Sequence, residues 1–301
     1  MTKGEHKLRA FILENIEKFC TGWQTNTALM DMRLLESTNG PLPHLPVLTF
    51  ERNWVGLSPA IEFCKGTIAH VLALSLLYCF AIFAGRRYME GRKPYNLRFA
   101  LASWNLLLAI FSGIGSIRTV PPLLNLLYNR GAYVGVCADP VKLYDKGHVG
   151  LWITLFIFSK IPELFDTLFI VLRKKPLIFL HWYHHVTVLL FCWHAFASTS
   201  ASGISFAAMN YSVHAVMYFY YFLVAIGMRP RWARFVTTFQ LCQMVVGVTV
   251  CGLNVYYTLK GIECHVDSEN LKWAILMYSS YFALFFKFYV DRYFLSIRKK
   301  V

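Results

Sequence analysis

The chain has 301 residues, of which 56% are hydrophobic and 15% are charged, and its formal net charge is +14. A soluble domain of this length carries about 25% charged residues, so the composition excludes an ordinary soluble fold and indicates a polytopic helical membrane protein. The basic residues lie in short loops between apolar runs, which is the pattern of membrane topology and not of nucleic-acid binding.

The first 65 residues form a polar lead without a cleavable signal pattern. We expect one short helix in it, Lys7 to Cys20, and its prolines exclude a longer one. Residues 66–301 are predicted to form one transmembrane domain of seven helices. The eight cysteines have none of the paired spacings of metal sites, so no metal ligands are assigned.

The first two predicted spans cover about 67–84 and 99–117. The loop between them is basic, and the loop that follows, 118–147, contains the helix-breaking pair Pro121-Pro122. We therefore expect the second helix to end before these prolines.

The third predicted span, about 148–172, carries three ionisable residues in its second half: Lys160, Glu163 and Asp166. Their spacing of three places them on one side of a helix. The arrangement is either a salt-bridged kink at Pro162 or the lining of a site, and ionisable groups inside a span favour a site.

The fourth predicted span, 177–196, carries His181, His184 and His185 within about 100° of arc on one helix face. Imidazole is costly in hydrocarbon unless it lines a polar cavity. Three such rings on one face therefore indicate a reaction centre inside the membrane.

The remaining predicted spans cover about 204–228, 235–257 and 273–290. Polar residues with helical spacing recur in the first two of them: Asn210, His214, Tyr218 and Tyr221, then Gln240 and Gln243. The loops after the odd-numbered spans hold about fifteen Lys and Arg and the others about six, which predicts a lumenal N-terminus and a cytosolic C-terminus.

Counting at 1.5 Å per residue places the polar groups of four helices at similar depths, in the cytosolic half of the membrane. The other halves of these helices are almost entirely apolar and aromatic. This arrangement fits a substrate with an anionic water-soluble head and a long hydrocarbon tail.

Three explanations of the histidines are open at this point. The HxxHH box is similar to one box of the di-iron desaturases and hydroxylases, but no second pair at HxxxH spacing occurs. Imidazole is also a nucleophile towards acyl carbonyls and a base near neutral pH. A seven-helix receptor or transporter with a polar core is the third explanation, and it leaves the shared depth unexplained.

Four sequence blocks together resemble the signature of the ELO family of very-long-chain fatty acid elongases. They occur in the family order: KIPELFDT from Lys160, HWYHH from His181, NYSVH from Asn210 with Met217-Tyr218, and TFQLCQ from Thr238. Trp182-Tyr183 inside the histidine box resembles the branch that acts on saturated and monounsaturated chains.

The resemblance implies a fold and a reaction. The fold is a seven-helix protein of the endoplasmic reticulum membrane in which helices two to seven form a barrel around an acyl-chain tunnel. The reaction condenses a long-chain acyl-CoA with malonyl-CoA to 3-ketoacyl-CoA, with no tightly bound cofactor. Expected partners are the lipid bilayer, a second copy in a homodimer and other enzymes of the elongation cycle.

The resemblance also implies roles for individual residues. His184 would take the acyl group as an acyl-imidazole, with His181 and His185 orienting it and His214 opposite. Three further groups of roles follow: oxyanion or enolate donors Asn210, Gln240 and Gln243; site support by Lys160, Glu163, Asp166 and Tyr218; and CoA-phosphate contacts from Lys174, Lys175, Arg229 and Arg231.

A disulfide between Cys137 and Cys264 is the last expectation. The charge count places both cysteines in lumenal loops, and the lumen of the endoplasmic reticulum is oxidising. The bond would tie spans two and three to spans six and seven at the closed end of the tail pocket.

Overall fold

The computed structural model describes residues 46–295, which are almost entirely helical. The helix predicted at Lys7 to Cys20 and the extreme C-terminal tail lie outside the described residues. In chain order the helices are α1 (Thr49–Arg52), α2 (Leu57–Met89), α3 (Arg98–Cys137), α4 (Pro140–Tyr144), α5 (Gly147–Ser159), α6 (Phe165–Leu172), α7 (Phe179–Ala197), α8 (Gly203–Ala225), α9 (Ala233–Leu259) and α10 (Ser268–Val290).

The second predicted span is wrong at its C-terminal end. Helix α3 continues through Pro121 and Pro122 for another fifteen residues beyond Pro122 and ends at Cys137. Each proline removes one backbone hydrogen bond, but a helix surrounded by lipid or protein has no water to satisfy an unwound segment, so the helix persists. The interruption comes at Gly131, whose φ of 78° and ψ of 175° suit a residue without a Cβ atom.

The third predicted span is not one continuous helix. Helix α5 ends at Ser159, a 3₁₀ turn covers Pro162–Leu164, and α6 begins at Phe165. Proline cannot donate the backbone hydrogen bond that a continuous helix needs at this position, and 3₁₀ geometry suits such a junction. The break falls in the segment that carries the three ionisable residues.

Four helices in the described part of the chain are long and apolar enough to cross a membrane: α2, α3, α9, and α10 with the turn that follows it. Large apolar side chains on all four point outward, among them Phe80, Ile110, Val245 and Leu276. Exposed apolar surface of this extent requires a nonpolar surrounding phase. The chain is therefore a multi-pass helical membrane protein.

The helices alternate in direction, so the bundle has two distinct ends. At one end, Arg98 donates to the backbone carbonyls of Ala225 and Ile226, and the N–H of Tyr95 donates to the carbonyl of Leu172. We call this the basic end, because the Arg- and Lys-rich connections lie there. The opposite end carries Cys137 and Cys264, and we call it the disulfide end.

Helix packing brings the central segments together. Helix α3 packs most extensively against α8, α8 also contacts α9, α9 contacts α10, α10 contacts α7, and α5 contacts both α7 and α3. Helix α2 packs against α7, α6 and α5.

The segment before α2 is attached to the bundle through Glu51, whose side chain is 1% exposed. Its carboxylate accepts hydrogen bonds from Trp152 Nε1 at 2.7 Å and Arg118 Nε at 3.0 Å. Burial alone would raise the pKa of Glu51, but these donors together lower it below the ordinary value. Helix α2 begins at Leu57, so the predicted domain boundary near residue 65 lies inside this helix. The part of the polar lead around Glu51 is therefore packed into the fold.

Cys137 and Cys264 form a disulfide with their Cα atoms 4.3 Å apart. The bond joins the end of α3 to the connection between α9 and α10. The adjacent backbone is also tied there, since the N–H of His265 donates to the carbonyl of Cys137 at 2.9 Å.

We predict that Cys137→Ser and Cys264→Ser each lower the thermal unfolding temperature of the purified protein in detergent. The bond closes a loop of 127 residues. Chain entropy sets the loss at no more than about 4–5 kcal/mol, and less where helices persist in the unfolded state. Cys242→Ser, at an exposed free cysteine, is the matched control. Equal stability of all three variants, or recovery of Cys137 and Cys264 as separate thiols by non-reducing peptide mapping, would contradict the bond.

Candidate active site

A cavity of about 710 Å³ lies between the helices towards the basic end. Its wall is formed by residues of α3, α6, α7, α8, α9 and α10. Ten residues that the sequence singled out for catalysis, support or CoA binding line it: Asp166, Lys175, His181, His184, His185, Asn210, His214, Tyr218, Gln240 and Gln243. Five separate segments thus converge on one space, as the shared depth predicted.

The three histidines of α7 form a cluster of touching rings. The ring centroids of His181 and His185 are 4.5 Å apart, and those of His184 and His185 are 5.7 Å apart. Spacings of three and four along a helix bring side chains into such contact. The ring of His184 also packs against Tyr281 of α10, with centroids 5.0 Å apart.

The ring nitrogens of this cluster differ in their partners. His181 Nε2 is 2.9 Å from the hydroxyl of Thr167, which is in turn 2.6 Å from the hydroxyl of Tyr78. His185 is buried, and its Nδ1 has no hydrogen-bond partner among the described residues. His184 is partly exposed to the cavity, and neither of its ring nitrogens is hydrogen-bonded to a residue between 46 and 295.

Lys160 and Glu163 form a buried ion pair behind the cavity wall. Lys160 is 2% exposed and Glu163 is 3% exposed, and Lys160 Nζ lies 2.7 Å from Glu163 Oε1. Lys160 Nζ also donates to Asn210 Oδ1 at 3.2 Å and lies 4.3 Å from the ring centroid of Phe156. Each charge is thus compensated, as burial in a low-dielectric interior requires.

The same network defines the proton position on His214. Because an ammonium only donates, Asn210 presents its carbonyl oxygen to Lys160 and its amide nitrogen to His214 Nε2, 3.1 Å away. We therefore assign the proton of neutral His214 to Nδ1, which faces Glu163 Oε2 at 4.0 Å. Both nitrogens of His214 are directed at protein groups, in contrast to those of His184.

Asp166 belongs to a second network at the cavity wall. Its two carboxylate oxygens accept hydrogen bonds of 2.6 Å, one from Trp104 Nε1 and one from the hydroxyl of Tyr218. The Lys160–Glu163 pair lies within the break between α5 and α6, whereas Asp166 lies in the first turn of α6. The three ionisable residues therefore belong to two networks.

Two amides of α9 complete the polar lining. Gln240 Nε2 lies 3.1 Å from Met217 Sδ, and Gln243 is buried beside the cavity. No stronger acceptor among the described residues holds either amide. Both are therefore able to donate to a ligand oxygen.

The mouth of the cavity is basic, with Arg98, Arg173 and Lys175 in its wall. Of the four basic residues that the sequence assigned to CoA phosphates, Lys175 alone lines the cavity. Lys174 Nζ donates instead to the backbone carbonyls of Glu90 and Arg92. Arg229 and Arg231 are exposed at the same end, outside the cavity wall.

A second, apolar cavity of about 40 Å³ lies between α5, α7 and α8 towards the disulfide end. Its wall includes Phe156, Phe191, Cys192 and Phe206. The polar layer thus has apolar side chains behind it, as the hydropathy of the helices indicated.

The described residues contain no group of three or more His, Cys, Asp or Glu side chains arranged to hold a metal ion. Of the four site histidines, His181 and His214 are hydrogen-bonded to different groups, Thr167 and Asn210.

Several site residues escaped the sequence analysis. Trp104, Thr167 and Tyr281 contact the ionisable and histidine side chains from other helices. Each occupies an apolar or mixed run in which nothing marks it as functional. Arg98 and Arg173 are basic residues next to the ends of predicted spans, and this position was the one sequence feature that could have indicated a role at the cavity mouth.

Comparison with known proteins gives a consistent result. Residues 63–301 match the model of the GNS1/SUR4 family, ELO. The chain is 43% identical over 224 residues to very long chain fatty acid elongase 6 of Drosophila melanogaster, covering 72% of this chain and 70% of the relative. It is 41% identical over 242 residues to very long chain fatty acid elongase 6 of Homo sapiens, covering 80% and 90%. Very long chain fatty acid elongase 4 of Trypanosoma cruzi is 44% identical over 235 residues, covering 73% and 82%.

We predict that Lys160 and Glu163 are strongly coupled in stability. Lys160→Met or Glu163→Gln alone leaves an uncompensated buried charge and should cost about 3–5 kcal/mol of unfolding free energy. The double variant should lose less than the sum of the two single losses.

The matched control for this cycle is Glu62–Lys65, which has the same spacing and the same 2.7 Å separation but is exposed. Its coupling should be below about 1 kcal/mol. Unfolding in detergent measures both cycles, and additive losses for Lys160 and Glu163 would refute the coupling.

Proposed function

Since the chain belongs to the GNS1/SUR4 family and is a condensing enzyme of fatty acid elongation, we propose that it extends long-chain acyl-CoA with malonyl-CoA through an acyl group carried on His184. The observation that carries this assignment is the difference in hydrogen bonding among the histidines. His184 faces the cavity with both ring nitrogens free of described partners, whereas the nitrogens of His214 are directed at Asn210 and Glu163.

The first half-reaction is a thioester exchange. A neutral His184 nitrogen attacks the acyl carbonyl, the tetrahedral oxyanion collapses, and the C–S bond breaks. The acyl-imidazolium formed in this way gives up its one N–H proton and the CoA thiolate takes up one proton, so charge and atoms balance. Gln240 and Gln243 are the amides available to stabilise the oxyanion.

The second half-reaction forms the new carbon–carbon bond. Malonyl-CoA loses carbon dioxide, and the resulting enolate attacks the acyl-imidazole carbonyl. The bond between that carbonyl and the His184 nitrogen breaks, giving 3-ketoacyl-CoA, and the leaving imidazolate takes up one proton, which restores the neutral imidazole. His214, held by Asn210 and Glu163, offers a fixed polar wall for the malonyl group. This chemistry requires no tightly bound cofactor.

The proposal includes a seven-span arrangement in the endoplasmic reticulum. In it, α5 with α6 forms the third span, and α7 and α8 the fourth and fifth. The break makes α5 and α6 each shorter than a membrane span, and α7 and α8 carry polar side chains of the site within their length. The pairwise contacts of α3, α5, α7, α10, α9 and α8 are those expected of a six-helix barrel with α2 alongside.

The proposed orientation places the basic end in the cytosol and the disulfide end in the lumen. It is supported by the Lys and Arg content of the connections and by the Cys137–Cys264 bond, which persists in an oxidising compartment. The N-terminus is then lumenal and the C-terminus cytosolic. A homodimer and contacts with other enzymes of the elongation cycle stay predictions.

The basic mouth suits the phosphates of CoA. Arg98, Arg173 and Lys175 line the cavity where an acyl-CoA would enter from the cytosol. Lys174, Arg229 and Arg231 lie at the same end outside the cavity wall, where a nucleotide that extends beyond the cavity would meet basic side chains.

The two alternative functions lack comparable support. A histidine-box desaturase or hydroxylase requires converging metal ligands, whereas the described residues contain no group of three or more His, Cys, Asp or Glu arranged to hold a metal ion, and His181 and His214 are hydrogen-bonded to different groups. A receptor or transporter function would not explain the sequence similarity of this chain to fatty acid elongases.

We predict that incubation with palmitoyl-CoA alone releases free CoA and adds one acyl group to the peptide that contains His184. His184→Ala should abolish both, while His70→Ala, at an exposed histidine of α2, should leave both unchanged. Mass spectrometry of the digested protein measures the adduct. A strict requirement for both substrates with no adduct, or an adduct on another residue, would contradict the scheme.

We predict that Arg173→Gln and Lys175→Gln each raise the KM for acyl-CoA by about fivefold at low salt, with a smaller change in kcat. The difference from the unaltered protein should shrink as ionic strength rises. Lys272→Gln, an exposed lysine near the disulfide end, is the control. Unchanged KM values in both mouth variants would remove these residues from the CoA site.

We predict that saturated and monounsaturated chains are elongated in preference to polyunsaturated ones. The prediction depends on Trp182-Tyr183 in the histidine box; Trp182 packs edge-on against Phe83 and Phe179. A panel of acyl-CoAs under identical conditions gives the kcat/KM ratios. Preferential use of C18 or C20 polyunsaturated chains would contradict it.

A further inference from the structure

We propose that Tyr281 of α10 is a positioning residue for the proposed nucleophile, and that it fixes the direction in which the His184 imidazole faces the cavity. This inference rests on the proposed function of His184. Tyr281 is 2% exposed and is not part of the cavity wall, so it acts on the reaction through His184 and not through the substrate.

The contacts of Tyr281 hold both the ring and the backbone of His184. The two rings pack with their centroids 5.0 Å apart and their planes inclined by 43°. The Tyr281 hydroxyl lies 3.2 Å from the backbone carbonyl oxygen of His184 and 2.6 Å from the hydroxyl of Thr187, one turn further along α7. No other residue of the described chain makes this combination of contacts with His184.

The hydroxyl groups of Tyr281 and Thr187 have one proton each, and these two protons are shared among more acceptor oxygens than they can satisfy at once. Thr187 also donates towards the carbonyl of Tyr183 at 2.7 Å. If Thr187 donates there, Tyr281 donates to Thr187; if Thr187 donates to Tyr281, Tyr281 donates to the His184 carbonyl. In both arrangements the Tyr281 hydroxyl is bound to the turn of α7 that carries the imidazole.

A second pair of hydroxyl groups also joins α7 to α10. Ser280, adjacent to Tyr281, has its hydroxyl 2.9 Å from the hydroxyl of Tyr183, adjacent to His184. The two helices are therefore joined on both sides of His184 by hydroxyl groups.

His184 depends on these contacts because neither of its ring nitrogens is hydrogen-bonded to another described residue. His181 is oriented by its hydrogen bond to Thr167, and His214 by Asn210. An imidazole that must attack a carbonyl cannot use a ring nitrogen for its own orientation, so packing and the backbone must supply it. Small displacements of a reacting group reduce rates steeply.

The test compares Tyr281→Phe with Tyr278→Phe. Tyr278 is also buried in α10, and its hydroxyl makes no hydrogen bond within residues 46–295. Tyr281→Phe should lower kcat for condensation and the rate of acyl transfer from palmitoyl-CoA by about 10- to 100-fold, with KM for acyl-CoA changed less than about twofold. Tyr278→Phe should match the unaltered enzyme.

A second pair of variants applies even if Tyr281→Phe does not fold. Thr187→Val removes the bridging hydroxyl with little change of shape, and Thr187→Ser retains it. Thr187→Val should lower kcat without changing KM, and Thr187→Ser should restore it. Normal kcat in Tyr281→Phe, or equal losses in Thr187→Val and Thr187→Ser, would overturn the positioning role.

The two proposals fail in different ways. If the unaltered enzyme forms no acyl adduct, the acyl-imidazole scheme fails, and the kcat of condensation still decides whether Tyr281 positions His184. If the adduct forms equally fast in Tyr281→Phe and in the unaltered enzyme, the positioning proposal fails and the acyl-imidazole scheme stands.

Discussion

The cost of keeping charged and polar groups inside a membrane-spanning bundle determines much of this structure. Lys160 and Glu163 are almost completely buried, and each is bound to the other within 2.7 Å. Further hydrogen bonds to its members help to offset the desolvation of such a pair. Asn210 accepts one of these bonds from Lys160 and also bonds to His214, so one buried ion pair helps to fix the conformation of a cavity-lining histidine on another helix.

The broken third span follows from the same requirement. A continuous helix through Pro162 would direct the ionisable residues to one side, whereas the 3₁₀ turn separates them. Glu163 then faces α8, and Asp166 accepts hydrogen bonds from Trp104 and Tyr218 at the cavity wall. Helices α5 to α8 carry most of the polar site, and the four long helices α2, α3, α9 and α10 carry the outward-facing hydrophobic surface.

Much of the site was predictable from the sequence because helical spacing is regular. The faces that carry His181, His184 and His185, and Asn210 with His214, lie where periodicity placed them. Contacts between helices were not predictable, since Trp104, Thr167 and Tyr281 meet their partners through packing angles that no local pattern encodes. The extension of α3 through Pro121 and Pro122 was missed for a related reason. Proline disfavours a helix locally, but a surrounding without water disfavours an unwound backbone more.

The central claim is that His184, and not His214, meets the acyl carbonyl inside a polar layer reached from the basic end. The most direct measurement is an experimental structure with a non-hydrolysable thioether analogue of palmitoyl-CoA. The account predicts that the carbon replacing the thioester carbonyl lies about 3–3.5 Å from a ring nitrogen of His184, with the phosphates near Arg98, Arg173 and Lys175. An analogue with that carbon beside His214, or with its phosphates at the disulfide end, would contradict the account.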